Sequence, residues 1–236
     1  MKKSVLLFCL CVVGITSGCA INLPFNNRLG YPTVSEAKKL SNSKIKPVSL
    51  EWIPADFPSR IDIQGASGFV GSASQTRMPT GVALSDRIME ALDVSIGLDS
   101  SSDSVIAIYV LNAKTKFEYS AGMGNVTPGI DYGWCELEAQ FNYNGTIWNE
   151  KFVSENKDTS IGSTSQTAPV EKVWDNIALQ VAKSIAIKAK LAPEFLDYKH
   201  SSNYVEWKSK LLNDLKLAAM AEAKTDEEND RYIRNK

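Results

Sequence analysis

The dipeptide Asn144-Gly145 constrains this chain more than any other feature. It stands between two alternating segments, 134–143 and 146–153. Both central residues of a type I′ turn need positive φ, and Asn-Gly is the strongest short signal for it. A two-residue loop also sets the register, because a slip of one residue would turn every side chain to the other face. Tyr143 then opposes Thr146, Phe141 opposes Trp148 and Leu137 opposes Phe152. The same face carries Cys135 and Ala139, while the opposite face pairs Glu138 with Lys151 and Gln140 with Asn149. Aromatic pairs on one side and an opposite-charge pair on the other are what cross-strand stabilisation asks for. Glu150 is the exception, landing opposite Ala139 on the apolar face.

Residues 105–119 read as one long strand. Val105, Ala107, Tyr109, Leu111, Ala113, Thr115, Phe117 and Tyr119 alternate with Ile106, Ile108 and Val110, then with Asn112, Lys114, Lys116 and Glu118. Period-two patterning assigns the odd positions to the core face. Ile106, Ile108 and Val110 then join Ile147 and Val153 on the outer face. That face is either a partner patch or a surface covered by the protein's own C-terminal helix. Val48, Leu50 and Trp52 alternate, as do Ile61 and Ile63, and Pro47, Pro54 and Pro58 confine both stretches to short or edge strands. Helices are expected over 81–94, with Leu84, Ile88, Ala91 and Leu92 on one stripe, and over 168–191 after Thr167 as N-cap. The second carries Val170, Val173, Trp174, Ile177, Val181, Ser184 and Ile185 inward, and a third helix over 203–222 carries Tyr204, Trp207, Leu211, Leu215 and Ala218. The tail beyond it is mixed-charge and reads as frayed. The order β-α-β-β-β-α plus an extra C-terminal helix predicts an α+β domain, a mostly antiparallel sheet of about four strands with two helices on one face.

The N-terminus reads Met1-Lys2-Lys3, an apolar run from Val5 to Ile15, then Thr16-Ser17-Gly18-Cys19-Ala20. As a helix that run spans only about 16 Å, half a bilayer core, which is a signal segment and not a membrane span. The small-small-Gly-Cys core resembles the lipobox of bacterial lipoproteins, with Thr16 where that family most often has Leu. The resemblance implies cleavage before Cys19, diacylation of its sulfur, acylation of its new amino group and, with Ala20 rather than Asp next, export to the outer membrane. Each buried CH₂ contributes about 0.8 kcal/mol and stable anchoring takes more than one chain, a condition that three acyl chains meet. The other reading is an ordinary cleaved signal and a chance cysteine. Cys9 and Cys11 leave with the leader and Cys19 is lipidated, so only Cys135 remains and no intramolecular disulfide can form. Cys135 reads as a buried small apolar residue.

Domain organisation follows: 1–18 signal peptide, 19–47 lipidated N-terminus and tether, 48–193 the α+β domain, 194–236 C-terminal helix and charged tail. Arg28, Lys38, Lys39, Lys44 and Lys46 face one acid, Glu36, in the tether. It reads either as a solvated linker or as a basic segment drawn to anionic headgroups. Thr33 and Glu36 frame a short capped helix over Val34 to Leu40. With its lipobox, short tether and element order, the chain resembles small bacterial envelope lipoproteins. These include the lipopolysaccharide-assembly lipoprotein and the auxiliary lipoproteins of ABC-type transport systems. That resemblance implies an adaptor or accessory subunit with an envelope protein partner, anchored by acyl chains on Cys19 and facing the periplasm.

Catalytic patterns are poor. His200 is the only histidine, so a two-histidine metal site cannot form. The chain lacks Gly-x-Ser-x-Gly, CxxC and P-loop patterns, and Ser35-x-x-Lys38, Ser41-x-x-Lys44 and Ser154-x-x-Lys157 recur in tether and loop without other support. Gly65-x-x-Gly68-x-x-Gly71 would cradle phosphate only at a helix start. No enzyme activity and no cofactor are expected. A net charge of −1 argues against a nucleic-acid binder. If strand 60–64 and strand 105–119 are parallel neighbours or near-neighbours across helix 81–94, the loops 65–81, 120–131 and 154–167 gather at one end. Phe69, Met78 and Met123 in those loops are the candidate partner-binding residues, against the plainer reading of solvated loops. Two functions remain from different classes: an adaptor, or a carrier of a lipid or other apolar ligand between sheet and helices. A carrier needs a cavity of roughly 300 Å³ or more. Trp174, Phe117, Phe141 and Trp148 on the core face predict a filled interior.

Overall fold

The computed structural model describes residues 20–22, 25–41, 47–54, 61–64, 75–118, 129–160, 167–191 and 198–234. The hairpin is the scaffold. β6 (Gly129–Tyr143) and β7 (Thr146–Ser160) are each 15 residues long. They pair in the expected register: Tyr143 with Thr146, Phe141 with Trp148, Leu137 with Phe152, Glu138 with Lys151. Asn144 and Gly145 have φ of 46° and 92°, as the tight turn requires. Phe141 stacks on Trp148 at 5.1 Å and meets Phe152 edge-on at 5.9 Å. Glu150, the acid on the apolar face, is satisfied there by the Trp148 indole N–H at 3.2 Å and by the Ser184 hydroxyl.

β5 (Val105–Glu118) pairs antiparallel with β6, and β2 (Ser49–Ile53) pairs parallel with β5. The four-stranded sheet runs β2-β5-β6-β7, mixed rather than wholly antiparallel, within the expected α+β class. α2 (Thr80–Ile96) and α3 (Ala168–Leu191) cover one face, and α4 (Ser202–Arg234) begins on the other. Gly97, at φ 82°, ends α2, and its carbonyl accepts the Val48 N–H, joining the helix to the start of β2. α4 extends past the expected end at 222 to Arg234. Among the described residues no helix is long and apolar enough to cross a membrane.

The phase of β5 corrects the sequence reading. Ile106, Ile108 and Val110 lie in the main core, packed toward α2 and α3, while Val105 and Ala107 belong to a second cluster on the outer face. The register shifts between Val110 and Asn112, leaving Leu111 unpaired and 43% exposed. An extra residue in one strand inverts the alternation beyond it. The core face is therefore Ile106, Ile108, Val110, then Ala113, Thr115, Phe117. Odd positions face the core only after the bulge.

β3 (Ile61–Gln64) is not in the main sheet. It pairs antiparallel with β4 (Gln75–Met78), which pairs parallel with β1 (Ala20–Asn22), making a separate three-stranded sheet. The parallel neighbour of β5 is β2 instead, a strand already ended when the chain reaches residue 61. Residues 129–131 and 154–160, expected as loop, extend the hairpin.

Residues 25–41, which composition places in a tether, pack on the body. α1 (Tyr31–Lys39) starts at Gly30, with no side-chain cap, and buries Ala37. Leu29 is in the main core, and Phe25, Val34 and Leu40 pack against it. Thr33 does not cap the helix: its hydroxyl donates to Asp175 at 3.4 Å.

Candidate docking surface

The outer face of the sheet is where the fold leaves chemistry exposed. From turn to loops, the register sets Ala107, Asn142 and Ile147 in one row, then Tyr109, Gln140 and Asn149, then Asn112, Glu138 and Lys151. Beyond these come Lys114, Glu136 and Val153, then Lys116, Trp134 and Glu155, then Glu118, Tyr132 and Lys157.

The turn end is covered. Val105 and Ala107 are fully buried under Tyr198, Tyr204 and Trp207. Tyr204 sits 5.4 Å from Tyr198 and stacks on Trp207 at 5.7 Å. The Trp207 indole N–H donates to Gln140 at 3.3 Å, and Asn142 Nδ2 donates to the Tyr198 hydroxyl at 3.3 Å. Lys208 pairs with Glu51 of β2 at 2.7 Å. Burial raises the Glu51 carboxyl, but Lys208, Tyr204 and Lys199 together outweigh it and hold the group below its ordinary range. The C-terminal helix thus covers its own sheet here, over Val105 and Ala107 rather than over Ile106, Ile108 and Val110. Ile147 and Val153 stay 47% and 45% exposed.

The loop end carries half-buried aromatics among charges. Lys116 Nζ lies 5.0 Å from the Trp134 ring centroid and Lys157 Nζ 5.5 Å from that of Tyr132. The Tyr132 hydroxyl donates to Glu155 at 3.4 Å, and Lys151 pairs with Glu136 at 2.8 Å. Each aromatic presents an apolar body beside fixed charge, the combination that docking surfaces favour. β5 and β7 end here and β6 begins here, since Glu118 pairs with Tyr132 and Gly129 with Ser160.

The opposite side of the molecule holds a buried ion pair. Arg87 of α2 is fully buried, and its Nε donates to Asp175 of α3 at 2.8 Å. It also donates to the Asn26 and Ala83 carbonyls and lies 5.3 Å over the Trp174 ring. Asp175 accepts the Gly30 N–H at 2.8 Å, and burial pushes its carboxyl above the ordinary range against the pull of Gly30, Arg87 and Thr33. Leu29 N–H donates to Glu90 and Asn26 N–H to Glu171. Four acceptors and donors on α2 and α3 therefore hold the segment 26–30 that enters α1. Beside it lies an open cleft of about 460 Å³ lined by Arg28, Asp86, Met89, Glu90, Asp93 and Leu98. A second cleft of about 290 Å³ lies between α4 and β2, lined by Glu51, Lys199, His200, Tyr204 and Lys208.

Of the residues singled out from sequence, Cys19, Phe69 and Met123 lie outside the described residues. Met78 ends β4, opposite Ile61. Since β3 and β4 form a separate sheet, the topological reason for grouping the loop of Phe69 and Met78 with that of Met123 is removed. Cys135 is buried, with burial pushing its thiol up to about 12. Its Sγ is 3.7 Å from the Thr115 hydroxyl, which also accepts the Trp174 indole N–H at 3.2 Å. An un-ionised, enclosed thiol is no nucleophile. Sequence reasoning missed two features. Arg87 and Asp175 are 88 residues apart, and no local pattern joins them. Gly133 has no side chain because the start of α3 lies against it: a Cβ there would come within 2.6 Å of the Pro169 carbonyl oxygen.

No family model matches the sequence, and no curated protein matches it. Solved structures with a similar layout exist. A minor lipoprotein from Acinetobacter baumannii is 12% identical with a TM-score of 0.37, over 61% of this chain and 92% of that one. A protein from Xanthomonas campestris is 16% identical with a TM-score of 0.40, over 64% and 91%. The rare lipoprotein B from Shewanella oneidensis is 10% identical with a TM-score of 0.33, over 62% and 94%. At such identities no side chain is carried from them to this chain.

Proposed function

We propose that the protein is an envelope lipoprotein, acylated on Cys19 and anchored in the outer membrane, whose body is a non-catalytic adaptor for an envelope protein. The acyl chains supply the membrane partner. The far end of the outer sheet face, around Tyr132 and Trp134, supplies the protein-binding surface, and Met123 is retained as a candidate contact. Phe69 and Met78 are retained as candidate contacts apart from this surface.

One observation carries the choice of adaptor over carrier: the space between sheet and helices is filled. Trp174, Phe141, Leu137 and Ile177 are fully buried in it, and even the Trp174 indole N–H is used internally. The two clefts are open at the surface, outside that layer. An apolar ligand would have to displace packed side chains.

The anchored geometry is short. Asn26 is already fastened to the body, and seven residues from Cys19 reach about 25 Å at most when fully extended. The body then works beside the bilayer.

Two measurements test the reading. Mass spectrometry of the mature protein should find an acylated N-terminal Cys19; a free thiol or a retained leader rejects the anchor. A photo-crosslinking residue at Trp134 should capture one envelope protein in cells, while the same probe at Leu217 should not. Equal capture at both positions, or none at Trp134, rejects the surface.

A further inference from the structure

The sheet has two edges, and they are treated differently. β2 is five residues long, and Lys208 and Lys199 from the α4 side reach its Glu51 and Ser49. β7 is 15 residues long, and among the described residues no further strand lies beside it. Long open edges are templates for another strand, and proteins usually shorten or cover them.

Which backbone groups face outward follows from the turn. In a two-residue hairpin Tyr143 and Thr146 exchange hydrogen bonds, so the even-numbered residues of β7 bond to β6 and the odd-numbered ones point away. Ile147, Asn149, Lys151, Val153, Glu155 and Lys157 therefore form the outward rail. The Val153 carbonyl accepts the Gln180 amide at 3.3 Å, which leaves its second lone pair and its N–H for another chain.

We infer that β7 pairs antiparallel with β7 of a second copy, centred on Val153, so that two four-stranded sheets become one of eight strands. The charges select this register. With Val153 opposite Val153 on the twofold axis, Lys151 of each copy faces Glu155 of the other, and Asn149 faces Lys157. Sliding one copy by two residues sets Lys151 against Lys157; sliding it the other way sets Lys151 against Val153. Of these three, only the centred arrangement forms two opposite-charge pairs with no like pair, and a register centred on Asn156, which pairs Glu155 with Lys157, leaves residues 146–151 unpaired. It also places the two exposed Val153 side chains against each other on the outer face. Six or more outward residues per copy supply on the order of a dozen main-chain hydrogen bonds. The pairing leaves Tyr132 and Trp134 uncovered, so it adds a second copy to the docking surface rather than competing with it.

The test uses the full-length protein in detergent. Val153→Cys copies should form a disulfide-linked dimer under mild oxidation, because directly opposed residues of a hydrogen-bonded pair sit about 5.5 Å apart at Cα. Ile147→Cys copies should not, being about 40 Å from each other in this register. Sedimentation should give a two-copy mass for the unmodified protein. Glu155→Lys should weaken the dimer on the order of tenfold or more, with two Lys–Glu pairs turned into like pairs. Mixing it with Lys151→Glu should restore a mixed dimer, since each then meets its opposite. A one-copy mass at micromolar concentration, equal cross-linking at 147 and 153, or linkage of Val153→Cys only to a different protein would overturn the inference. Should Lys151→Glu fail to fold, the cysteine pair and Glu155→Lys alone still decide.

Discussion

Replacing Arg87 by Met removes the cation from a site where nothing else can take its place. Arg87 is fully buried, pairs with Asp175 at 2.8 Å and bridges α2, α3 and the Asn26 carbonyl. After the substitution Asp175 keeps the Gly30 N–H and the Thr33 hydroxyl but loses the one cationic partner it has among the described residues. Breaking a buried pair by removing one member costs about 3–5 kcal/mol, because the survivor's charge is left unpaired. At roughly 2–4 °C per kcal/mol for a domain of this size, Tm should fall by about 10 °C. The sign with pH is also set. Burial already raises the Asp175 carboxyl, and loss of Arg87 raises it further. A carboxyl with a raised folded-state pKa is better tolerated protonated. The penalty should therefore be smallest below the ordinary carboxylate range and grow as pH rises through the raised value. Urea denaturation of Arg87→Met at pH 4.5 and pH 7.5 measures this, with hydrogen exchange at Gly30 as a local readout. The double variant Arg87→Met with Asp175→Leu should be more stable than Arg87→Met alone, since no charge remains buried. A loss below about 1 kcal/mol, or a double variant costing the sum of the singles, would refute the account of the pair as a coupled clamp.

Gly133→Ala should destabilise by roughly 1–3 kcal/mol in thermal melts, because a Cβ there meets the Pro169 backbone at 2.6 Å and α3 must shift. Cys135 should resist iodoacetamide at pH 8.5 until the protein is unfolded. With its thiol pushed up to about 12, the folded state loses stability relative to Cys135→Ala as pH rises from about 9 towards 12, by at most about 1.4 kcal/mol per pH unit in a chemical-denaturation series. Trp207→Ala should uncover Val105 and Ala107 and unbind the start of α4, read as faster proteolysis after residue 200 with the hairpin still protected.

The hairpin was readable because its information is local: Asn144-Gly145 sets the turn, and the turn sets every pair from Tyr143–Thr146 to Glu138–Lys151. The helices were readable for the same reason, since each apolar stripe sits within one segment. β5 was not, because its first half is apolar on both faces and a bulge at Leu111 leaves no trace in such a pattern. The two faces are both buried there, one by α2 and α3, the other by Tyr198, Tyr204 and Trp207. β3 was misplaced because a four-residue strand carries no signal for its partner. Residues 25–41 looked like linker because they are polar, yet backbone N–H groups at Asn26, Leu29 and Gly30 are held by carboxylates far along the chain. The outer-face aromatics Tyr132 and Trp134 were visible as letters, but their neighbours Lys157 and Lys116 came only with the register of the sheet.

The unpaired Leu111 lets β5 serve one interior with even-numbered residues before it and odd-numbered residues after it. Asn144 clasps its start through both the backbone and the side-chain amide oxygen, and Phe117 wedges its far end into the core. Between those fixed points the strand can lose the bulge residue but no other without turning its second half over. Deleting Leu111 itself would only straighten the strand, because Val110 and Asn112 already oppose the consecutive Ala139 and Glu138, whereas deleting Ala113 would turn Lys114 and Lys116 into the core. Length variation should therefore collect in the loops, at the chain ends and, within this strand, at the bulge alone.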